Sequence, residues 1–275
     1  MRIDLHTHST ASDGTDRPAE LVAAAAAAGL DVVALTDHDS TSGWAEAMAA
    51  GRDLAVEVIP GVEISCRLDG ISVHLLGYRV DPAHAGLAGQ LAATREDRLR
   101  RARRMVERIA EDYLLTWDDV VARVPSGATV GRPHLADALV ARGHVADRDE
   151  AFARILHPGS RYHVSHRAPD AAAAVRAVRA AGGVPVMAHP CAARRGRVVT
   201  DGGIARLADA GLAALEADHP DHTPAERDHL RGLARELGLL VTGASDYHGS
   251  GRAHRLGDQL TEPDVYRELL AAPVR

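Results

Sequence analysis

Imidazole and carboxylate side chains open the chain in a pattern that suits metal binding. The first predicted strand, residues 2–8, alternates apolar residues with Asp4, His6 and His8. Alternate residues of a strand share one face, so these three side chains are expected on the same side. Imidazole nitrogens and carboxylate oxygens together are typical ligands of zinc, iron and manganese.

The same residue types recur near the ends of later predicted strands. A lone histidine is more often packed or exposed than a ligand, but parallel barrel strands bring their carboxyl ends to one face. Nine such side chains buried at one rim are costly unless they bind cations. Because one zinc needs about four ligands, nine indicate two or three divalent ions (Mn, Fe or Zn) that share bridging groups. The candidate ligands are His6, His8, Asp13, His38, Glu63, His74, His189, Asp246 and His248.

The elements that must position these residues alternate between strands and helices. Strand-like segments before residue 83 and after residue 183 predict a barrel-like parallel α/β core, and the segment between them contains mainly helical patterns. We therefore expect a barrel formed by 1–82 and 166–275, with a helical insertion at 83–165 that covers the active site. The arginines of the helix predicted at 94–112 are interpreted as its solvated face, with steering of an anionic substrate as the alternative.

The composition of the chain excludes several classes of function. The 275 residues are 46% hydrophobic with a net charge of −6, which fits a globular protein and gives no general attraction to nucleic acid. Every basic residue is arginine, which excludes a P-loop lysine or a Schiff-base lysine. Cys66 and Cys191 match no zinc or redox spacing. With no leader and no long apolar run, a cytoplasmic protein without membrane association is expected.

The ordered motifs resemble those of the PHP (polymerase and histidinol phosphatase) family of metal-dependent phosphoesterases. They are DLHTHS, SDG, ALTDHD, PGVEIS, VHLLGY, AHP and SDYH, and they span nearly the whole chain. The resemblance implies a distorted (β/α)7 TIM-like barrel with a trinuclear metal centre. It assigns one ion to His6, His8, Glu63 and Asp246, a second to Glu63, His74 and His189, and a third to Asp13, His38 and His248.

Such a centre keeps net positive charge, which attracts phosphate and stabilises charge on its oxygens. The expected nucleophile is a metal-bridging hydroxide attacking in line, so no catalytic side chain beyond the metal-bound water is predicted. Asp4 and Asp37 are candidates for orienting the histidines, with strand-end capping as an equal alternative.

Substrate contacts are expected from the insertion and from one later loop. Arg132 and His134 lie in a G-R-P-H stretch that resembles the inserted domain of PHP phosphatases acting on nucleotides. Arg132 is suited to a second phosphate group, and an exposed helix start is the alternative. His222 is the preferred contact in the segment 215–223, whereas His219 is interpreted as local structure.

The predicted function is hydrolysis of phosphate monoesters of nucleotides: 3′,5′-bisphosphonucleotides, and also AMP or short 5′-phosphorylated RNA. Histidinol-phosphate phosphatase, a non-catalytic metal-binding accessory module and a metal-dependent amidohydrolase are the alternatives. The partner expected is a small phosphorylated substrate, with no stable protein partner.

Overall fold

Seven strands pair in chain order from β1 to β7. A computed structural model describes residues 1–165, 167–193 and 196–271. The strands are β1 (Ile3–Thr7), β2 (Val32–Leu35), β3 (Glu57–Leu68), β4 (Ile71–Tyr78), β5 (Val184–Met187), β6 (Ala214–Asp218) and β7 (Leu240–Gly243). The helices are α1 (Pro18–Ala27), α2 (Trp44–Leu54), α3 (Ala85–Ile109), α4 (Trp117–Val121), α5 (Arg132–Ala141), α6 (Arg148–Arg154), α7 (Ala171–Ala180), α8 (Asp201–Asp209), α9 (Pro224–Leu237) and α10 (Pro263–Ala271).

The sheet curls into a nearly closed barrel. Thr7 forms a parallel bridge with Tyr247, and the His8 amide donates to the Tyr247 carbonyl at 2.8 Å, which brings the first strand to the chain that follows the last. The Thr261 amide donates to the Ile3 carbonyl, and its hydroxyl donates to Gly243 in β7, so the return segment fills the remaining gap. The predicted distorted, TIM-like seven-stranded barrel is confirmed.

One strand departs from the expected parallel arrangement. β4 runs antiparallel to both β3 and β5. No helix separates β3 from β4. They are joined by Asp69 and Gly70, whose φ angles of 51° and 76° match the tight hairpin turn that Asp-Gly favours. As a result β3 continues to Leu68, and Glu63 lies in the middle of its strand rather than at the predicted end.

The helical segment has a hydrophobic core of its own, and α3 links that core to the barrel. Leu87 and Leu91 at the start of α3 pack in the core outside the barrel, with α7 and α9. Ala102 and Ile109 further along pack with α5 and α6. The domain boundary expected at 82/83 therefore falls just before a helix shared by both cores. The other boundary begins at residue 166, which lies outside the described residues, as do residues 272–275.

Among the described residues, no helix is both long enough and apolar enough to cross a membrane.

Candidate metal centre

Four side chains from three parts of the barrel bring donor atoms to one point. The Nε2 atoms of His6 and His8, which come from the end of β1, lie 3.1 Å apart. Each lies 3.0–3.4 Å from Glu63 Oε2 of β3 and from Asp246 Oδ1 beyond β7. All four residues are buried. Four tetrahedral bonds of about 2.0–2.2 Å would separate their donors by about 3.3–3.6 Å, so this group has nearly the size of a zinc-type site.

Glu63 also faces a second group of imidazoles. Its Oε1 lies 2.6 Å from His74 Nδ1 and 3.0 Å from His189 Nε2, and its Oε2 lies 3.1 Å from His38 Nδ1. Glu63 is central because it lies in the middle of the long β3. His74 lies on β4, the strand paired with β3. The glutamate is therefore placed between two groups of donors, as a bridging ligand must be.

Asp13 lies at the centre of a third group. Its carboxylate approaches His248 Nε2 at 3.4 Å, and His38 Nε2 and His8 Nδ1 at 3.8 Å. Because His38 approaches Glu63 through Nδ1 and Asp13 through Nε2, the structure places it between the second and third groups, whereas the resemblance assigned it to the third alone. The structure thus brings all nine predicted ligands together in one continuous cluster.

The donor geometry fits cations better than hydrogen bonds. His38 Nδ1, His74 Nδ1 and His248 Nε2 are buried and accept or donate no hydrogen bond within the described residues, although each lies within 3.4 Å of a carboxylate oxygen. Buried ring nitrogens that lie beside carboxylate oxygens without sharing a proton are suited to a metal ion between them. The nine residues therefore suit divalent cations.

The electrostatics favour positive charge at the same point. Burial disfavours a charged His8, but Asp246 and Glu63 outweigh it and raise the pKa of His8 to about 9. Burial also opposes ionisation of Glu63, yet the surrounding histidines hold the pKa of Glu63 well below its ordinary value. The carboxylates thus stay ionised. Their negative charge, which raises the pKa of His8, also stabilises a divalent cation.

Strained backbone holds three residues of the centre. Asp39, His189 and Asp246 have φ angles of 51°, 30° and 52°, in the left-handed region that costs non-glycine residues about 1–3 kcal/mol each. The Asp39 carboxylate receives the Ser65 amide and hydroxyl at 2.9 Å. Such contacts maintain the strained loop beside His38 and fix where its imidazole points.

Asp4 and Asp37 organise the backbone, and among the described residues neither has a hydrogen bond to an imidazole ring. Asp4 accepts the amides of Ser245 and Gly257 at 3.0 and 2.9 Å, which ties β1 to the chain after β7. The pairing of β1 with β2 shifts register between Asp4 and Thr7, and such bulges redirect side chains. Asp4 therefore meets the backbone amide of His6, 3.5 Å away, rather than its ring.

Asp37 accepts from the Ser9 amide, the Ser9 hydroxyl and the Ser12 hydroxyl, at 2.6–2.8 Å. Ser12 Oγ in turn lies 3.4 Å from His8 Nδ1. Asp37 therefore shapes the loop that carries Asp13 and reaches His8 only through Ser12.

Two of the predicted substrate contacts, Arg132 and His134, interact with neighbouring groups of the helical segment. Arg132 stacks over Phe152 and donates to the Leu156 carbonyl at 3.1 Å. His134 accepts the Gly131 amide at 3.0 Å through Nδ1, which caps the start of α5.

His222 is held on both ring nitrogens by backbone groups. Its Nδ1 donates to the Ala217 carbonyl at 2.9 Å, and its Nε2 accepts the Cys191 amide at 3.1 Å. No ring nitrogen remains for substrate, so the geometry does not support the predicted contact. The neighbouring His219, interpreted as local structure, instead points its Nε2 at Asp246 Oδ2, 3.5 Å away.

The PHP domain family matches residues 4–85. A 3′,5′-nucleoside bisphosphate phosphatase from Chromobacterium violaceum is 35% identical over 269 residues, which cover 97% of this chain and 94% of that protein. The chain belongs to the PHP family.

Two further PHP relatives carry other names. A 5′-3′ exoribonuclease from Haemophilus influenzae is 32% identical and covers 90% of each chain. A phosphoribosyl 1,2-cyclic phosphate 1,2-diphosphodiesterase from Eggerthella lenta is 32% identical, over 92% of this chain and 97% of the other. A crystal structure described as that of a metal-dependent phosphoesterase from Bifidobacterium adolescentis superposes with a TM-score of 0.95 at 41% identity, covering 98% and 95% of the two chains.

This PHP protein is therefore a metal-dependent phosphoric ester hydrolase, which confirms the predicted enzyme class. Divalent metal binding follows from the family and from the donor groups.

Sequence reasoning missed one member of the PHP centre. Glu216 of β6 is fully buried; its Oε1 lies 2.9 Å from His6 Nδ1, and its Oε2 accepts the His189 amide at 2.8 Å. It contacts two predicted ligands, His6 of β1 and His189 after β5. A glutamate inside the otherwise apolar strand 214–217 was the signal available in the sequence.

Proposed function

We propose that this PHP phosphoesterase hydrolyses phosphate monoesters of nucleotides. Its principal substrates are 3′,5′-bisphosphonucleotides, and AMP or short 5′-phosphorylated RNA are further ones. The proposal draws on the bisphosphate phosphatase and the exoribonuclease among its relatives. Two or three Mn, Fe or Zn ions would be held by the nine residues His6, His8, Asp13, His38, Glu63, His74, His189, Asp246 and His248.

The observation that carries the proposal is the charge of Arg132 and the lack of a carboxylate beside it among the described residues. Among the described residues no carboxylate pairs with its guanidinium, which lies in the insertion near Arg98 and Arg252. Burial and these two arginines lower the pKa of Arg132 to about 10, so the group still carries its charge at neutral pH. A charged guanidinium without a carboxylate is ready for an anion of the substrate. A molecule with two phosphate groups supplies one to the metal centre and one to Arg132.

Other residues of the chain keep the charges of the site in place. Arg252 Nη1 lies 2.7 Å from Asp246 Oδ2, which anchors that carboxylate from the side away from His6 and His8. Arg98 Nε pairs with Asp39 Oδ2 at 2.7 Å and so holds the loop after His38. When bound, divalent ions acidify water and neutralise the phosphate oxygens.

The test is phosphate release from adenosine 3′,5′-bisphosphate with Mn²⁺, beside histidinol phosphate and p-nitrophenyl phosphate. We expect fast release from the bisphosphate that is lost on chelation. Arg132→Gln should lower kcat/KM for the bisphosphate by about tenfold or more, the value of one charge-assisted hydrogen bond, and leave p-nitrophenyl phosphate nearly unchanged. Arg132→Lys keeps the charge and is the matched control. Release from histidinol phosphate alone would reject the nucleotide proposal.

A cyclic phosphodiester is the second candidate substrate, because the Eggerthella lenta relative matches over nearly the same length. Phosphoribosyl 1,2-cyclic phosphate also carries a phosphate monoester that could reach Arg132, so contact with Arg132 does not separate the two candidates. The kcat/KM of one enzyme preparation for each of the two compounds distinguishes them. A cytoplasmic location and the lack of a stable protein partner stay predictions.

A further inference from the structure

A row of arginines winds around α3 and leads away from the metal centre. Successive members are three or four residues apart and are therefore neighbours on the helix surface, but the row turns about halfway round the helix between its first and fourth members. The members are Arg95, Arg98, Arg101, Arg104 and Arg108. The inner end touches the loop after His38, because Arg95 donates to the Asp39 carbonyl and Arg98 pairs with the Asp39 carboxylate. From Arg95 to Arg104 the helix advances about 14 Å.

The outer part of this row opens into a basic cleft. The cleft has a volume of about 280 Å³, and the described residues Val164, Ser165 and Arg167 lie opposite α3 across it. Four arginines line it: Arg100, Arg101, Arg104 and Arg167. Arg101 also lines the small cavity that contains Arg98 and Arg132, so the cleft and the proposed second-phosphate position share a wall.

The cleft has more positive charge than its own carboxylate can offset. Asp97 is the acidic residue of the lining, and it accepts the Arg167 amide at 2.6 Å and lies 3.4 Å from Arg100. Within the described part of the chain, the side chains of Arg104 and Arg167 pair with no carboxylate. Burial, with Arg132 and Arg98 as further causes, lowers the pKa of Arg101 to about 9.

We propose that this cleft binds the phosphodiester backbone of a single-stranded oligonucleotide whose terminal nucleotide occupies the metal centre. The inference rests on the proposed function and extends it to longer substrates. Among the described residues that line it, none has an aromatic side chain on which a base could stack. Recognition should therefore be by phosphate contacts, independent of base sequence and strongly dependent on salt.

The experiment compares two substrates of the metal-loaded enzyme: adenosine 3′,5′-bisphosphate and a 5′-phosphorylated RNA pentamer. The test variant is Arg104→Gln/Arg167→Gln. The matched control is Arg52→Gln/Arg235→Gln, which removes the same charge from exposed positions on α2 and α9. Losing two phosphate contacts should make the slope of log kcat/KM against log salt shallower by about 1.4 for the pentamer. The advantage of the unmodified enzyme over the test variant should then shrink about sevenfold between about 50 and 200 mM salt.

The bisphosphate should be cleaved equally by all three proteins, which also shows that the variants are folded. Equal losses on both substrates, or an unchanged salt slope, would overturn the cleft proposal. Cleavage of the bisphosphate with no cleavage of the pentamer would also overturn it and would remove short RNA from the proposed substrates, while the bisphosphate phosphatase activity would stand. If the unmodified enzyme cleaves neither substrate, the proposed function itself fails.

Discussion

Replacing Glu216 by glutamine tests whether this carboxylate positions the metal ligands. Both of its contacts require an acceptor: the His189 amide donates to Oε2, and His6 Nδ1 donates to Oε1 when His6 Nε2 is a ligand. Burial opposes its ionisation, but His6, with His219 and His189, lowers the pKa of Glu216 to about 2, so the native group is a carboxylate at neutral pH. A glutamine side chain has one acceptor oxygen and one donor NH₂ group. Its NH₂ group would therefore face one of the two donors, the His6 ring N–H or the His189 amide, and that contact would be lost.

The expected cost is a 10–100-fold weaker metal affinity, or about 1.4–2.7 kcal/mol, the range found when an outer partner of a ligand is removed. Titration of the metal-free protein with Mn²⁺, followed by calorimetry and by phosphate release, measures this change. Activity at saturating Mn²⁺ should recover most of the loss, because the nine predicted ligands are unchanged. The exposed Glu236→Gln is the control.

The reasoning is refuted if Glu216→Gln binds Mn²⁺ as tightly as the unmodified protein. A loss of activity that saturating Mn²⁺ does not restore would also refute it, because Glu216 would then act on the reaction rather than on the position of His6.

Three further predictions use the same centre. His8→Ala should lower metal content and activity by more than about 100-fold, because it removes a predicted ligand that belongs to two donor groups. Elemental analysis measures the metal content and phosphate release measures the activity, with the exposed His229→Ala as control. Adding Mn²⁺ at about 100 times its Kd should stabilise the protein by about 2.7 kcal/mol, seen as a rise in Tm of several degrees; an unchanged Tm would contradict metal binding by the folded state. Gly14→Ala should cost about 1–3 kcal/mol and lower Tm, because the new Cβ would lie 2.2 Å from the His8 carbonyl oxygen beside Asp13, whereas Gly89→Ala in α3 meets nothing within 4 Å and should not lower it.

The convergence of the ligands was predictable because it depends on a general property of barrels. Strand ends meet at one face, so motifs that are distant in sequence need only follow successive strands to become neighbours. The sharing of His38 between Asp13 and Glu63 was not predictable in this way. It depends on the orientation of one ring in a strained loop, and several distant residues, including Arg98 and Ser65, set that loop.

The sequence patterns also did not predict the direction of β4 or the shift of register between β1 and β2. An apolar run gives the same alternation in a parallel and an antiparallel strand, so β4 was placed in a parallel core. Likewise, strict alternation grouped Asp4 with His6, but the bulge in β1 separates them and leaves Asp4 to bind the Ser245 amide. The arginines of α3 were interpreted as a solvated face, yet Arg95 and Arg98 reach back to Asp39. A helical pattern shows which residues share a face and does not show what that face meets.

Glu216 shows what a search for motifs overlooks. Its segment, 215–223, was singled out for its histidines, and Glu216 itself was passed over. The physical signal is different: β6 is apolar on both sides of this residue, and an ionised carboxylate in a buried strand is costly unless it is paired. The partners that make it tolerable are His6 and the His189 amide, which are themselves at the metal centre. A lone acidic residue within an apolar strand of a metal-binding barrel therefore predicts a group that positions the ligands, and the affinity of Glu216→Gln for Mn²⁺ measures whether that inference is sound.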